Sequence, residues 1–235
     1  MKKISLRDDF MPLDQISKEA MNELAGNVTF SGKPNRAIML TSCVGAQGTS
    51  FVTLHLAQAL SKLGHSCVVV DANFRKSAYS RKENPGVSVQ HVGVVQYLQG
   101  EETLENVQYM LEGSAVHLLA AGKTVLDPLP LLSSATFSKL LHTLKETYDY
   151  VLVDAPPVGV AIDAAIIATA CDAVLFVTTL AQNRKGFVEA IRQINQTNTP
   201  IIGVALNKAP MQKQPFKKYY YGTRYEKYGM QYGDT

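Results

Sequence analysis

The sequence predicts a three-layer α/β fold, in which a mostly parallel sheet is covered by helices on both faces. Two observations predict it. Short runs rich in Val, Ile and Leu alternate along the 235 residues with segments that carry apolar residues at helical spacing. The runs are apolar at successive positions, which is typical of parallel strands buried on both faces. Ligands of such sheets bind at the carboxyl ends of the strands.

The predicted strands and helices alternate in the order that this fold requires. The strands are continuous apolar runs, and the helices repeat apolar residues three or four positions apart. The predicted strands are residues 37–42, 66–70, 116–120, 150–153, 173–178 and 201–206. The predicted helices are residues 15–24, 50–63, 87–98, 134–147, 163–170 and 184–196.

Turn-forming residues mark the boundaries between these elements. A glycine and a proline in residues 31–35 indicate a loop before the first predicted strand. The helix after that strand ends at Gly64, because glycine adopts the left-handed conformation that follows many helix C-termini. Residues 75–86 are charged and contain a Pro-Gly pair, which indicates a second loop, and a third loop runs through Pro130.

Length and composition favour one main domain with an extension at each end. The chain is 46% hydrophobic, which is enough for a buried core. We expect an N-terminal extension with one helix at residues 1–36, the main domain at residues 37–210 and a flexible tail at residues 211–235. No run approaches the roughly 18 apolar residues of a membrane-spanning helix, and the N-terminus lacks the apolar core of a signal peptide. We therefore expect a cytoplasmic protein.

The cysteines and histidines give no indication of a zinc centre. Cys43, Cys67 and Cys171 are widely spaced within apolar runs, so we expect reduced, buried thiols rather than disulfides or metal ligands. The five histidines show no spacing that is typical of metal ligands.

The tail at residues 211–235 accounts for the charge excess of the chain. It contains five basic and two acidic residues, whereas the whole chain has a net charge of only +3. Its tyrosines are separated by Gly, Lys and Arg and bury too little apolar surface to fold, so we expect disorder. Alternatives are a passive end, or a segment that binds single-stranded nucleic acid or an anionic membrane. We expect no nucleic-acid partner, because the rest of the chain shows no basic groove.

Residues 41–50 have the context of a phosphate-binding P-loop. They follow an apolar strand, contain Gly45 and Gly48, and precede a predicted helix. Such a turn aims backbone N–H groups and a helix N-terminus at an anion, and Ser50 stands where a hydroxyl group would reach Mg²⁺. Thr49 occupies the position at which the motif has lysine, so the predicted phosphate site lacks its principal charge.

Two carboxylates lie at the same predicted edge of the sheet. Asp71 and Asp154 each follow an apolar strand, where carboxylates coordinate or orient Mg²⁺ and its waters. Residues 151–153 followed by an acid match the Walker B pattern. Either aspartate alone could be a helix cap or a loop residue, but the adjacent P-loop-like turn favours a nucleotide site. Ser42 and Asn207 end strands at the same edge.

The same segments resemble those of bacterial tyrosine kinases. Residues 68–75 resemble the second Walker motif of that family (an apolar run, Asp-x-Asp, x-Arg), and residues 148–158 are similar to its Walker B segment. Residues 163–166 and 203–208 match as well. The tail tyrosines complete the pattern: Tyr219, Tyr220, Tyr221, Tyr225, Tyr228 and Tyr232. The resemblance covers residues 15–235 and is strongest to the separate cytosolic kinases of capsule and exopolysaccharide operons.

The resemblance implies a P-loop NTPase-like fold and a tyrosine-protein kinase that transfers phosphate from ATP. The residues implied to bind ATP or ADP are Gly45, Ala46, Gln47, Gly48, Thr49, Ser50 and, near the adenine, Asn207. The implied ligands of Mg²⁺ are Ser50 and Asp71. Asp71 would also accept the proton of the tyrosine, and Asp154 would act through metal-bound water.

Partners are implied by the resemblance as well. Members of the family phosphorylate tail tyrosines on neighbouring subunits and are switched on by the cytosolic end of a membrane protein. Here that activator would be a separate, membrane-bound polysaccharide co-polymerase, which recruits the chain to the inner face of the membrane. An active tyrosine kinase paralogue and a cognate phosphatase are further expected partners.

Three positions depart from the family at the expected site. Thr49 replaces the lysine that bridges the β- and γ-phosphates, Ala46 replaces a glycine, and Asn73 replaces the second aspartate of Asp-x-Asp. Losing one preorganised, charge-stabilising group costs roughly 100- to 1,000-fold in rate, so we expect weak turnover or none. Arg75 or Lys76 would restore the missing charge if its side chain reached the turn.

The first predicted helix departs from the family's oligomerisation motif. Only Glu19 of that motif is kept, because Asn22 and Ala25 occupy its two arginine positions. We therefore expect no octameric ring held by those arginines, and the sequence leaves the oligomeric state open.

Three functional hypotheses follow. The first is a tyrosine autokinase of a polysaccharide operon. The second is a pseudokinase that acts as a scaffold and whose tail tyrosines are phosphorylated by another kinase. The third, which we rank last, is a partition- or septum-type P-loop ATPase; those proteins carry a signature lysine early in the loop, where this chain has Val44 and Gly45.

Overall fold

A computed structural model of the chain describes residues 2–4, 13–32, 35–79 and 92–210. Eight strands and eight helices lie within these ranges. The strands are β1 (Lys2–Ile4), β2 (Ala37–Thr41), β3 (Cys67–Asp71), β4 (Gln108–Leu111), β5 (Val116–Leu119), β6 (Tyr150–Asp154), β7 (Ala173–Thr178) and β8 (Ile201–Leu206). The helices are α1 (Gln15–Phe30), α2 (Thr49–Lys62), α3 (Val94–Leu98), α4 (Leu104–Val107), α5 (Leu129–Leu132), α6 (Ala135–Thr147), α7 (Asp163–Thr169) and α8 (Arg184–Asn195).

All eight strands form one sheet, in the order β1-β4-β5-β3-β6-β2-β7-β8. The six strands from β5 to β8 in this order are parallel to their neighbours. Strand β4 runs antiparallel to β5, and β1 pairs with β4 in parallel. The mostly parallel sheet confirms the predicted α/β fold class.

Helices cover both faces of the sheet, as predicted. Successive residues of β2 point to opposite sides, since Ile38 and Leu40 belong to one apolar core and Met39 to the other. Helices α1 and α2 contribute to the core that contains Ile38. Helices α6, α7 and α8 contribute to the core that contains Met39. Burial on both faces explains why the central strands are continuous apolar runs in the sequence.

The structure corrects several predicted elements. Helix α1 extends to Phe30 rather than residue 24, because Ala25 and Val28 continue its buried face. The predicted loop that runs through Pro130 contains the short helix α5. Strands β1 and β4 and helix α4 were not predicted; β4 is only four residues long and alternates buried with half-buried positions. Of the predicted helix 87–98, only Val94–Leu98 is helical within the described residues.

Three further predictions concern membrane-spanning helices, the cysteines and the C-terminal tail. Within residues 2–4, 13–32, 35–79 and 92–210, no helix is long and apolar enough to span a membrane. Cys43 and Cys67 are buried free thiols, as expected, whereas Cys171 is a free thiol that is only half-buried. The tail at residues 211–235, with its six tyrosines, lies outside the described residues.

Candidate nucleotide site

The turn between β2 and α2 has an open helix N-terminus. Gly48 is the N-cap residue of α2, and it places no side-chain cap on the N–H groups of the first helical turn. Unbonded N–H groups at a helix N-terminus attract anions, because the helix dipole adds to their partial positive charge. Residues 44–46 of the turn are exposed to solvent. The turn can therefore receive a phosphate group.

The backbone of the turn is left-handed at two residues. Gly48 has φ +85°, which favours glycine, and a Cβ atom there would lie only 2.3 Å from Nδ2 of Asn207 and would displace that amide. Ala46 has φ 62°, a conformation that disfavours any residue with a Cβ atom. Ala46, which stands where the resembled family has glycine, therefore adopts the left-handed conformation of the turn at a cost in backbone strain.

Asp71 and Asp154 lie side by side at the carboxyl edge of the sheet. They are direct partners in the register of β3 and β6, and both side chains are buried, with 0% and 2% of their surface exposed. Asp71 accepts hydrogen bonds from Oγ of Ser77 at 2.5 Å and from the backbone N–H of Asn73 at 3.1 Å. Asp154 interacts with the side chains of Ser50 and Tyr79. Its Oδ2 atom has no hydrogen-bond partner among the described residues.

Burial raises the pKa of both carboxyl groups. For Asp71, desolvation outweighs the hydrogen bonds from Ser77 and the backbone, which lower the pKa. For Asp154, desolvation is again the largest cause, and the neighbouring charge of Asp71 raises the pKa further. A divalent cation bound at this pair would offset both effects, since Mg²⁺ is commonly held by one or two carboxylates together with phosphates and water.

Two residues near this pair were not predicted from the sequence. Tyr79 is buried, and its hydroxyl group donates a hydrogen bond of 3.0 Å to the backbone oxygen of Ser50. Burial, with the nearby charges of Asp154 and Asp71, raises its pKa well above the ordinary value. The hydroxyl group of Ser77 donates a hydrogen bond to Asp71. Both residues belong to a segment that its charge and its Pro-Gly pair marked as a loop, so no sequence signal assigned them to the site.

The side chain of Arg75 bonds residues outside the turn between β2 and α2, which we call the phosphate turn. Its Nε atom lies 2.7 Å from Oδ2 of Asp163, and Nη2 lies 3.2 Å from the other carboxylate oxygen. Nη1 donates to the backbone oxygen of Leu126 at 2.6 Å. This geometry does not support the prediction that Arg75 replaces the charge of the lysine missing at Thr49.

The loop after β8 holds the phosphate turn from the other side. Nδ2 of Asn207 donates to the backbone oxygen of Gln47 at 2.9 Å, and Nζ of Lys208 donates to the backbone oxygen of Ala46 at 2.8 Å. The backbone N–H of Asn207 donates to Thr178 of β7, which fixes the loop to the sheet. The sequence predicted that Asn207 shares this edge, but it assigned no contact to Lys208.

The structure places the predicted nucleotide-site residues close to one another, whereas the predicted tail tyrosines lie outside the described residues. The turn at residues 45–50, Asp71, Asp154 and Asn207 lie at one edge of the sheet. A hydroxyl group, two buried carboxylates and an open helix N-terminus suit a phosphate with a divalent cation. Across the part of the chain that the structure describes, no cluster of three or more His, Cys, Asp or Glu residues offers a metal site.

Comparisons of sequence give one protein family and several relatives. The family described as AAA domain matches residues 35–204. The chain is 30% identical over 209 residues to the tyrosine-protein kinase CpsD of Streptococcus agalactiae, with 88% of this chain and 90% of that protein covered. It is 28% identical over 193 residues to CpsD of Streptococcus pneumoniae serotype 4, with 82% and 84% covered.

Solved structures share the fold. The chimerical protein CapA2B2 superposes with a TM-score of 0.77 at 25% identity, covering 89% of this chain and 94% of that one. The kinase domain of VpsO gives a TM-score of 0.73 at 29% identity, with 83% and 98% covered. The septum site-determining protein MinD of Pyrococcus horikoshii OT3, solved with Mg-ADP, gives 0.62 at 21% identity, with 76% and 72% covered. At that identity the likeness concerns the fold alone.

Proposed function

This chain belongs to the AAA-domain family and, within it, to the bacterial tyrosine kinases, and from that premise we propose that it binds magnesium-bound ATP or ADP at the turn between β2 and α2. The observation that carries the proposal is the buried pair of Asp71 and Asp154 beside the open N-terminus of α2. Oδ2 of Asp154 has no hydrogen-bond partner among the described residues. A buried, unbonded carboxylate oxygen is costly unless a ligand satisfies it.

Each residue has a definite task in this proposal. The backbone N–H groups of the turn and of the first turn of α2 bind the phosphates. The hydroxyl group of Ser50 and the carboxylate of Asp71 hold Mg²⁺, which neutralises phosphate charge when bound. Asp154 fixes the hydroxyl group of Ser50 and would orient water around a bound Mg²⁺. Asn207 donates to the carbonyl of Gln47 and so fixes the turn that binds the phosphates, and Asn207 itself lies near the adenine.

We further propose that the chain acts in capsule or exopolysaccharide biosynthesis. Its activator is the cytosolic segment of a membrane-bound co-polymerase, which recruits it to the inner face of the membrane. The tail tyrosines are the acceptors of phosphate. This part of the proposal is supported by the tyrosine kinase relatives and by the tyrosine pattern of the tail.

The chain's own phosphoryl transfer is weak. Phosphoryl transfer depends almost wholly on positioning and on neutralising charge, and Thr49 and Asn73 remove a cation and a carboxylate. The ion pair of Arg75 with Asp163 favours the second candidate function, a scaffold whose tail is phosphorylated by another kinase, because Arg75 is not free to act on phosphate.

A phosphorylation assay separates the two candidates. The purified chain is incubated with Mg-ATP and the cytosolic segment of the activator, and phosphotyrosine is detected by blotting. Asp71→Ala and Asp154→Ala are compared with Glu112→Gln. Glu112 is exposed in the turn before β5, at the edge of the sheet opposite the site.

The two candidates predict different outcomes. A signal that both alanine variants abolish, and that Glu112→Gln retains, identifies an active kinase. No signal from the chain alone, with labelling restored by an added active tyrosine kinase, identifies the scaffold. Absence of labelling even with an active kinase contradicts the role of the tail in both.

A further inference from the structure

Lys208 contacts the phosphate turn although it lies 162 residues away from it in the sequence. Its Nζ atom donates to the carbonyl of Ala46 at 2.8 Å, and Nδ2 of the neighbouring Asn207 donates to the next carbonyl, that of Gln47, at 2.9 Å. The loop after β8 therefore binds two successive carbonyl groups of the turn. It brings a positive charge to a turn that has none at Thr49.

Both residues joined by this hydrogen bond, Ala46 and Lys208, have an unusual backbone conformation. Among the described residues, only Ala46, Asn198 and Lys208 have positive φ without being glycine. The hydrogen bond from Lys208 to Ala46 joins two of these three. Left-handed backbone at residues with a Cβ atom costs free energy and persists only where surrounding contacts enforce it. The hydrogen bond between Lys208 and Ala46 is one such contact, because it fixes the loop after β8 against the phosphate turn.

The side chain of Lys208 also runs beside the start of α2. A Cβ atom built on Gly48 would lie 4.0 Å from Cε of Lys208. Gly48 is the N-cap of α2, and Thr49 is its first helical residue. The ammonium group of Lys208 thus stands close to the N–H groups that receive phosphate in the proposed function.

We propose that Lys208 supplies the positive charge on nucleotide phosphate that Thr49 does not. An ammonium group has three N–H donors. It can keep its bond to Ala46 and still donate to a phosphate oxygen. The exposure of Lys208 leaves its head accessible to a ligand in the turn. This inference rests on the proposed nucleotide site and adds to it a residue that the P-loop pattern does not contain.

The test is a double-mutant cycle between positions 49 and 208. Binding of Mg-ATP is measured by calorimetry for the natural chain, Lys208→Met, Thr49→Lys and the double variant. If Lys208 contacts phosphate, Lys208→Met weakens binding about tenfold in the natural chain, on the scale of a charged hydrogen bond. In the Thr49→Lys background the same change has little effect, because position 49 then supplies the charge.

Two controls accompany the cycle. Lys208→Arg keeps the charge and retains most of the affinity. Lys62→Met removes an exposed lysine at the far end of α2 and leaves binding unchanged. Thermal unfolding of each variant establishes that it is folded before it is titrated.

Several outcomes would overturn the inference. An equal loss in both backgrounds means that Lys208 only shapes the turn, and no loss in either means that it does not act on phosphate. Both results leave the proposed function intact. If the natural chain and Thr49→Lys both fail to bind Mg-ATP, the proposed nucleotide site itself is wrong, and the role of Lys208 falls with it.

Discussion

The carboxyl groups of Asp71 and Asp154 make the stability of the protein depend on pH. Burial raises the pKa of both, so the folded chain keeps a proton that the unfolded chain releases above pH about 4. The free energy of unfolding therefore falls as pH rises from there through the raised pKa. Asp154→Asn removes one of the two charges. We expect it to stabilise the protein by roughly 1–2 kcal/mol at pH 8 and to flatten this dependence.

Urea unfolding of the natural chain and of Asp154→Asn between pH 6 and 8 measures this effect. Burial also lowers the pKa of His55 and His117, but this contribution is the same in both proteins and cancels in the comparison. If Asp154→Asn were less stable than the natural chain at pH 8, or if its stability depended equally on pH, a raised pKa of Asp154 would be contradicted.

Ala46 provides a second test at the scale of one residue. Its φ of 62° favours glycine, so Ala46→Gly relieves backbone strain and should raise the free energy of unfolding by about 0.5–1 kcal/mol. Ala20→Gly is the matched control, because Ala20 is exposed within helix α1 and the same change there should destabilise by about 1 kcal/mol. Equal destabilisation at both positions would exclude strain at Ala46.

The ion pair of Arg75 and Asp163 connects two elements at the site. It joins the loop after β3 to the first residue of α7, and Asp163 is almost fully buried. Arg75→Met would leave that carboxylate unpaired. We expect a loss of about 2 kcal/mol in the free energy of unfolding, less than for a fully buried pair because the Arg75 side chain is 39% exposed.

The double variant Arg75→Met with Asp163→Asn tests the cause of that loss. Since it removes the unpaired charge as well, it should recover at least half of the stability lost in the single variant. Chemical unfolding of all four proteins completes the cycle. A loss below about 0.5 kcal/mol for Arg75→Met would show that the pair does not stabilise the contact between the loop and α7.

Elements that depend on local pattern could be predicted from the sequence, whereas long-range contacts could not. The central strands β2 and β3 are fully buried and β6 is buried at every position after Tyr150, so their apolar runs are visible in the sequence. Their polar ends define the edge where Asp71 and Asp154 meet. Strand β4 has no such run, because only alternate residues are buried, and it was missed.

The unpredicted parts of the site have a common physical reason. Lys208 and Ala46 are 162 residues apart, and Arg75 and Asp163 are 88 apart. Neither pair has a periodic or spacing signal, because each depends on how the chain brings distant loops together. The same is true of the contact of Tyr79 with Ser50. Sequence patterns located the edge of the sheet but not the long-range side-chain contacts that are made there.

At the scale of the whole molecule, helix α1 bears on assembly. Glu19 and Asn22 are exposed, but Ala25, at one of the family's arginine positions, is fully buried in the core with α2. That position therefore offers no surface to a neighbouring subunit. We expect Glu19→Ala to leave the mass measured by sedimentation equilibrium unchanged. A drop in mass would show that α1 holds an oligomer after all.

The central claim, that the chain keeps a nucleotide site without the usual lysine, is tested most directly by titrating the natural protein with Mg-ADP in a calorimeter. We predict saturable binding at one site, lost in Asp154→Asn and retained in Glu112→Gln, because only the former removes a carboxylate from the site. No binding by the natural chain, or the same binding by Asp154→Asn, would contradict the claim.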